Sequence, residues 1–210
     1  MSCVNGPTDS LSKLVTTGCR ETSPACPVTS RTPLAARHVA SLSSYVTDTP
    51  HMLRTLQQWN HDYGPFRDGV RLVTIDVIEL YTNIPHQDLL TALRFHLNSM
   101  PQTNVPSTKR IVDIANHAFS SNVFSFEDDY FQQIFGTAKG TPMAPSAANL
   151  FMGWLEAQLL ASSPVPVSQD TWKRFIDDIF LLWTGTPEDL DVFFEHMFSL
   201  DRIDSNEIGL

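Results

Sequence analysis

Two apolar runs in this sequence carry carboxylates where a buried strand would ordinarily carry none. In RLVTIDVIELY, residues 71–81, Asp76 sits among Leu72, Val73, Ile75, Val77 and Ile78. In WKRFIDDIFLLWTGT, residues 172–186, Asp177 and Asp178 stand side by side between aromatic and aliphatic neighbours. Runs of this composition read as strands bound for a core. An ionised carboxylate there is costly unless something compensates it, and adjacent carboxylates repel. Lys173 and Arg174 are the nearest cations, but they lie earlier on an extended arm and project along or away from it. A divalent cation is the stronger candidate, because Mg2+ prefers carboxylate oxygen and usually also holds substrate phosphates. The bland alternative is a hairpin tip in which Asp-Asp serves as turn residues.

TWKRF and IFLLW read as the arms of such a hairpin, with Asp177-Asp178 at its tip, where a tight turn presents both carboxylates on one edge. If the 71–81 strand neighbours this hairpin, Asp76 joins the pair in one shared cation site. Separate buried acids, each satisfied by local hydrogen bonds, are the competing explanation. Paired divalent ions about 3.5–4 Å apart activate a 3′-hydroxyl and stabilise a leaving pyrophosphate, which is polymerase chemistry.

The chain has 210 residues and 42% hydrophobic content, enough for a real core and about one domain. No apolar stretch approaches the ~20 residues of a membrane helix and the N-terminus lacks a signal-peptide pattern, so an intracellular protein with no membrane partner is expected. Cys3, Cys19 and Cys26 lack zinc-ligand spacing and suggest no disulfide framework. A net charge of −9 argues against simple electrostatic binding to nucleic acid, although a site that holds cations is itself acidic.

Residues 1–40, rich in Ser, Thr, Pro and Gly, read as a flexible or incomplete segment, and residues 41–210 as the domain proper. Thr49 is placed to cap a helix with Pro50 at its first position. HQDLLTALRFHL and TKRIVDIANHAFS read as helices, and NVFSFEDDYFQQIFG as a hairpin turning at Glu127, Asp128 and Asp129. Gly136 and Gly140 mark a loop that is no phosphate-cradling P-loop, since the Gly-Lys-Ser/Thr order is absent. Thr141 and Pro142 then open a helix. Its apolar stripe is Ala147, Leu150, Phe151, Trp154 and Leu155, and Ser146, Asn149, Gly153 and Ala157 form a strip of small residues. On periodicity alone, a helix packing against a neighbouring backbone is the favoured reading of that strip, ahead of a ligand. TPEDLDVFFEHMF reads as a helix capped by Thr186. The order of elements predicts an α+β fold, an antiparallel sheet with helices packed on one face.

Three of these segments carry a family resemblance. DVIELYTNIPH at 76–86, GTAKGTPMAPSAANLFMGWLE at 136–156 and RFIDDIFLLWTGT at 174–186 resemble motifs A, B and C of reverse transcriptases, specifically the Penelope-like retroelement branch related to telomerase. SSYVTDTPHML at 43–53 is similar to the segment ahead of motif A in that branch. The resemblance spans roughly residues 40–200 and implies a polymerase palm, part of the right-hand reverse transcriptase fold. It implies that Asp76 and Asp177 bind two Mg2+ ions, replaceable by Mn2+, with the Val77 carbonyl as an extra ligand and Asp178 as a supporting acid. Tyr81 matches the aromatic position that packs against the incoming sugar and excludes a 2′-hydroxyl. An ordinary core tyrosine is its plain alternative. Gly140, Thr141 and Pro142 would contact the nucleotide, and Ser146 and Asn149 the template and primer. Arg174 would help hold primer phosphates, unless it is only a solvated strand charge.

The implied partners are an RNA template, a DNA primer and deoxynucleoside triphosphates, with nuclear localisation expected from the resemblance to genomic retroelements. The sequence departs from the family in three respects. Residues 1–40 show no convincing basic fingers, Lys139 stands at a position that is usually uncharged, and neither a helical thumb nor a GIY-YIG nuclease follows. Those parts are expected on a longer parent chain. Besides an active polymerase palm, the sequence admits a truncated, inert copy acting as a nucleic-acid or protein binding module. Another two-metal enzyme such as a nuclease ranks last.

Overall fold

The computed structural model describes residues 34–64, 70–100, 106–138 and 141–204, the side chains as far as Leu200. Cys3, Cys19, Cys26, Lys139 and Gly140 lie outside the described residues, as does the N-terminal segment up to residue 33. The chain forms two compact units. One combines residues up to Ser41 with Glu79–Trp154, and the other combines Leu42–Ile78 with the residues from Leu155 onward.

In the first unit, α1 (Leu34–Val39) gives helical structure to the end of the segment expected to be flexible. The short helix α3 (Leu80–Asn83) is followed by α4 (His86–Ser99) and α5 (Thr108–Ser120). Leu90 and Leu97 of α4 meet Val112 and Ala115 of α5, flanked by Leu93, Met100, Ile111 and Phe119. Spacings of three and four residues put these side chains on one stripe of each helix, which is why the two helices pair. The hairpin of β2 (Val123–Phe126) and β3 (Asp129–Gln132) turns at Glu127 and Asp128, with Glu127 at φ 54°. Phe124 and Phe131 stack across it at 5.6 Å, yet every residue of both strands is exposed.

Two further features of this unit are built from polar or conformational necessity. Gly136 has φ +73°, and a Cβ there would come within 2.5 Å of the Thr82 carbonyl oxygen, so only glycine fits. His86 Nε2 donates to the Gly136 carbonyl at 2.7 Å. His96, 2% exposed, donates from Nε2 to the Leu150 carbonyl (2.8 Å). Its Nδ1 is therefore the acceptor for the Nε2–H of His38 at 2.8 Å. Burial lowers the pKa of both rings, and for His96 the Leu150 carbonyl partly opposes that shift.

In the second unit, α2 (Thr49–Asp62) is capped not by Thr49 but by Asp48, whose Oδ1 accepts from the His51 amide at 2.7 Å. A carboxylate is a stronger acceptor than a hydroxyl, and Pro50 without an N–H fits the first turn. The sheet has order β1-β5-β4, formed by β1 (Arg71–Asp76), β4 (Trp172–Phe175) and β5 (Asp178–Trp183), all antiparallel. Tyr45 makes a parallel bridge to Arg174 on the outer edge of β4. The helix α7 (Pro187–Asp204) starts as expected, with Thr186 Oγ1 accepting from the Asp189 amide and donating to its carboxylate. Phe193 of α7 lies fully buried between Trp172 and Trp183, at 6.0 and 5.9 Å between ring centroids.

The long helix α6 (Ala144–Ser162) carries its residues up to Trp154 in the first unit and the rest in the second. It begins at Ala144 rather than at Thr141, because Thr141 to Met143 form a turn in which the Ala144 amide bonds to the Thr141 carbonyl. The observed fold is a mixture of helices and antiparallel sheet.

Candidate functional site

Strand alternation decides where the carboxylates go. Along β1, Leu72, Thr74 and Asp76 share one face and are exposed, whereas Val73 and Ile75 on the other face are half-buried. The run 71–81 is thus not one buried strand. It ends as a strand at Asp76, β1 is an edge strand with an open face, and Asp76 lies on that face. The chain then turns through Glu79 at φ 52° into α3.

Opposite Asp76 in the register stands Asp178, the first residue of β5, and Phe175 of β4 faces Asp178 from the other side. The two-residue turn between β4 and β5 is Ile176–Asp177, not Asp177–Asp178. Ile176 adopts φ 56°, the left-handed region that a β-branched residue rarely enters. Asp177 is half-buried, and its carbonyl accepts from the Val77 amide at 3.1 Å. The turn is therefore fastened to the residue that follows Asp76. Three acids gather at one end of the sheet, two of them directly opposed.

The opposite face of the sheet holds a buried polar network. Trp172 and Arg174 of β4 share this face with Ile179 and Leu181 of β5. Arg174 has no exposed surface, and its Nε donates to Glu156 Oε1 at 2.7 Å while Nη1 donates to the Ile176 carbonyl at 3.0 Å. Glu156 of α6 also accepts from Trp172 Nε1 (3.0 Å) and, through Oε2, from Ser44 Oγ (2.6 Å). The Arg174 amide donates to the Ser44 carbonyl, and its own carbonyl accepts from the Val46 amide. This corrects both readings of Arg174, as a holder of primer phosphates and as a solvated strand charge: strand alternation points its guanidinium inward, where Glu156 takes the charge. Sequence reasoning missed Glu156, although a lone acid on the otherwise apolar stretch LFMGWLEAQLL was the available signal.

In the first unit, Tyr81 is half-buried on α3, and its carbonyl accepts from the amide of buried Thr137 at 2.6 Å. Thr141 is half-buried and Pro142 exposed, and Thr141 Oγ1 donates to the Ala138 carbonyl. Ser146 is half-buried. Asn149 is 4% exposed and its Nδ2 donates to the Pro145 carbonyl one turn earlier, while Gly153 is also buried. The strip of small residues is thus largely covered at these two positions, as helix packing predicts. That burial leaves Asn149 no surface for a template or primer.

Among the described residues, no three His, Cys, Asp or Glu side chains are close enough together to form a ready-made metal cage, and no helix is long and apolar enough to cross a membrane. Mg2+ seldom uses such cages, taking one or two carboxylates and completing its shell with water and phosphate. Hard carboxylate oxygens from Asp76, Asp177 and Asp178 on an open sheet end fit that mode of binding.

No protein-family model matches the sequence, and no curated protein does. Solved structures do match. Apo telomerase from Candida tropicalis superimposes with a TM-score of 0.60 at 11% identity, over 83% of this chain and 32% of that one. Telomerase from Candida albicans in complex with a TWJ fragment of telomeric RNA gives 0.58 at 12% identity, over 77% and 31%. The corresponding Candida tropicalis complex gives 0.53 at 12%, over 96% and 31%. The chain spans about a third of the length of these telomerases. Its fold is therefore similar to part of telomerase.

Proposed function

We propose that this chain is the palm of a Penelope-like RNA-directed DNA polymerase, transferring deoxynucleotides to a primer 3′-hydroxyl with Asp76, Asp177 and Asp178 as its acids. The observation that carries the reading is the register of β1 against β5, which sets Asp76 across from Asp178 where the Ile176–Asp177 turn closes. Like charges directly opposed across a sheet are unfavourable, and a cation held beside them by Asp76 and Asp177 would relieve that repulsion. Asp76 and Asp178 are both exposed, as access by a polymeric substrate requires.

When bound there, a pair of Mg2+ ions, or Mn2+ in their place, supplies charge stabilisation to the attacking and leaving oxygens. Asp76 and Asp177 are the holding groups, with the Val77 carbonyl as a further oxygen donor, and Asp178 is the supporting acid. The β1–β5 ladder fixes the spacing of the acids. The Val77 N–H to Asp177 bond keeps the turn from drifting, which matters because misplacing reacting groups by about 1 Å costs roughly 10²-fold in rate.

The remaining assignments rest on the motif resemblance alone. They are Tyr81 as the sugar-selecting ring, Gly140, Thr141 and Pro142 at the nucleotide, and Ser146 at the template. The same holds for the RNA template, DNA primer and deoxynucleotide partners, for thumb or nuclease parts on a longer parent chain, and for nuclear localisation. A second reading, an inert copy acting as a binding module, is favoured by the exposed apolar hairpin, where Phe126 is 65% and Tyr130 78% exposed.

Primer extension on an annealed RNA template separates the two. Template-dependent addition of deoxynucleotides in Mg2+ or Mn2+ that disappears in Asp177→Ala supports the polymerase. Absence of any addition by the folded wild-type chain supports the binding module.

A further inference from the structure

We propose that Arg174 is a positioning residue for the acidic turn: its guanidinium holds the left-handed Ile176, and through it Asp177, while Glu156 holds the guanidinium. The inference rests on the polymerase reading for its catalytic meaning, although the clamp itself is a property of the fold.

Ile176 is the wrong residue for its backbone. A β-branched side chain at φ 56° is strained, and such strain persists only where the surroundings over-determine it. Two hydrogen bonds do so here. The Ile176 carbonyl accepts from Arg174 Nη1 and the next carbonyl, that of Asp177, accepts from the Val77 amide. The peptide units on both sides of Asp177 are thereby fixed, one from beneath the sheet and one from Val77, the residue that follows β1.

Arg174 can do this because it is itself immobile. Its amide and carbonyl are both used by the Ser44–Val46 segment, and Nε is bound to a carboxylate that is only 5% exposed. Glu156 is fixed in turn by Trp172 and Ser44. A buried ion pair is a poor stabiliser, since a well-packed apolar pair of similar volume often does as well. What an apolar pair lacks is the rigid fork of a guanidinium, which reaches a carboxylate with one arm and a carbonyl with another. Lysine offers the charge without the fork.

Two variants separate positioning from folding. Arg174→Lys keeps the charge against Glu156, and the double variant Arg174→Met with Glu156→Leu removes both charges together. Each is compared with the wild-type chain for denaturation midpoint, hydrogen exchange at the Val77 amide, and Mn2+ affinity by electron paramagnetic resonance. The expected result is a midpoint close to wild type in at least one variant, with Val77 exchange about tenfold faster and Mn2+ affinity lower by about 10–100-fold. Val77 exchange and Mn2+ affinity unchanged in a folded variant overturn the proposal. Should wild type and Asp177→Asn bind Mn2+ equally weakly, the polymerase reading fails, and Val77 exchange alone decides the clamp: faster in the variants supports it, unchanged overturns it.

Discussion

Asp76 on β1 and Asp178 on β5 are direct cross-strand partners, both exposed at one end of the sheet, a placement that sets stability against function. Opposed like charges destabilise a strand pair by roughly 0.2–1 kcal/mol. Asp178→Asn is therefore expected to raise the unfolding free energy in EDTA by that amount, seen as a higher urea midpoint. In millimolar Mg2+ the order reverses, since the wild type gains ligand-linked stability that the variant loses. Urea titrations in the two buffers check both halves.

Glu156→Ala leaves Arg174 charged and buried without its carboxylate. Losing one partner of such a pair costs about 3–5 kcal/mol, against well under 1 kcal/mol for an exposed pair. Chemical denaturation should show that loss equally at low and high salt, because the pair is shielded from ions. A strongly salt-dependent loss would point to a solvent-exposed pair instead.

The His38–His96 pair gives the first unit a pH dependence. Both folded-state pKa values lie below the ordinary 6.5, so below 6.5 the unfolded chain binds more protons than the folded one. Stability is full above that value and is lost progressively as pH falls through it toward the lowered folded values. His96→Gln should flatten this fall, measured as denaturation midpoints between about pH 7 and about pH 5.

Gly136→Ala tests the tight approach to Thr82. The added methyl would meet backbone atoms at 2.5–2.9 Å, and φ +73° is itself unfavourable for alanine. A loss of at least about 2 kcal/mol is expected from thermal or chemical melts. A neutral outcome would mean that the loop relaxes away from α3.

Much of this molecule is legible in the sequence, for identifiable reasons. Helices α4 and α5 follow from apolar spacing, the β2–β3 hairpin from its turn acids, and the start of α7 from Thr186 and Pro187. What misled was treating apolar runs as buried. Leu72, Ile75 and Ile78 suggest a core strand around Asp76, but burial depends on how many strands flank it, and β1 has one. Asp-Asp is far better turn chemistry than Ile-Asp and so predicts a turn one residue late; the tertiary bonds at Ile176 and Asp177 override that preference. Arg174 reads as a surface charge in the sequence because its partner Glu156 is 18 residues away and reaches it only through the fold.

Single-nucleotide incorporation tests the central claim most directly: wild type, Asp76→Asn and Asp177→Asn, each with a DNA primer on an RNA template, the complementary deoxynucleotide and Mg2+. Addition by the wild type should be abolished by EDTA and should fall by at least about 10³-fold in both folded variants, roughly 4 kcal/mol of transition-state stabilisation. Equal incorporation by wild type and variants would contradict the claim, because the acids at the end of the sheet would then have no part in the chemistry.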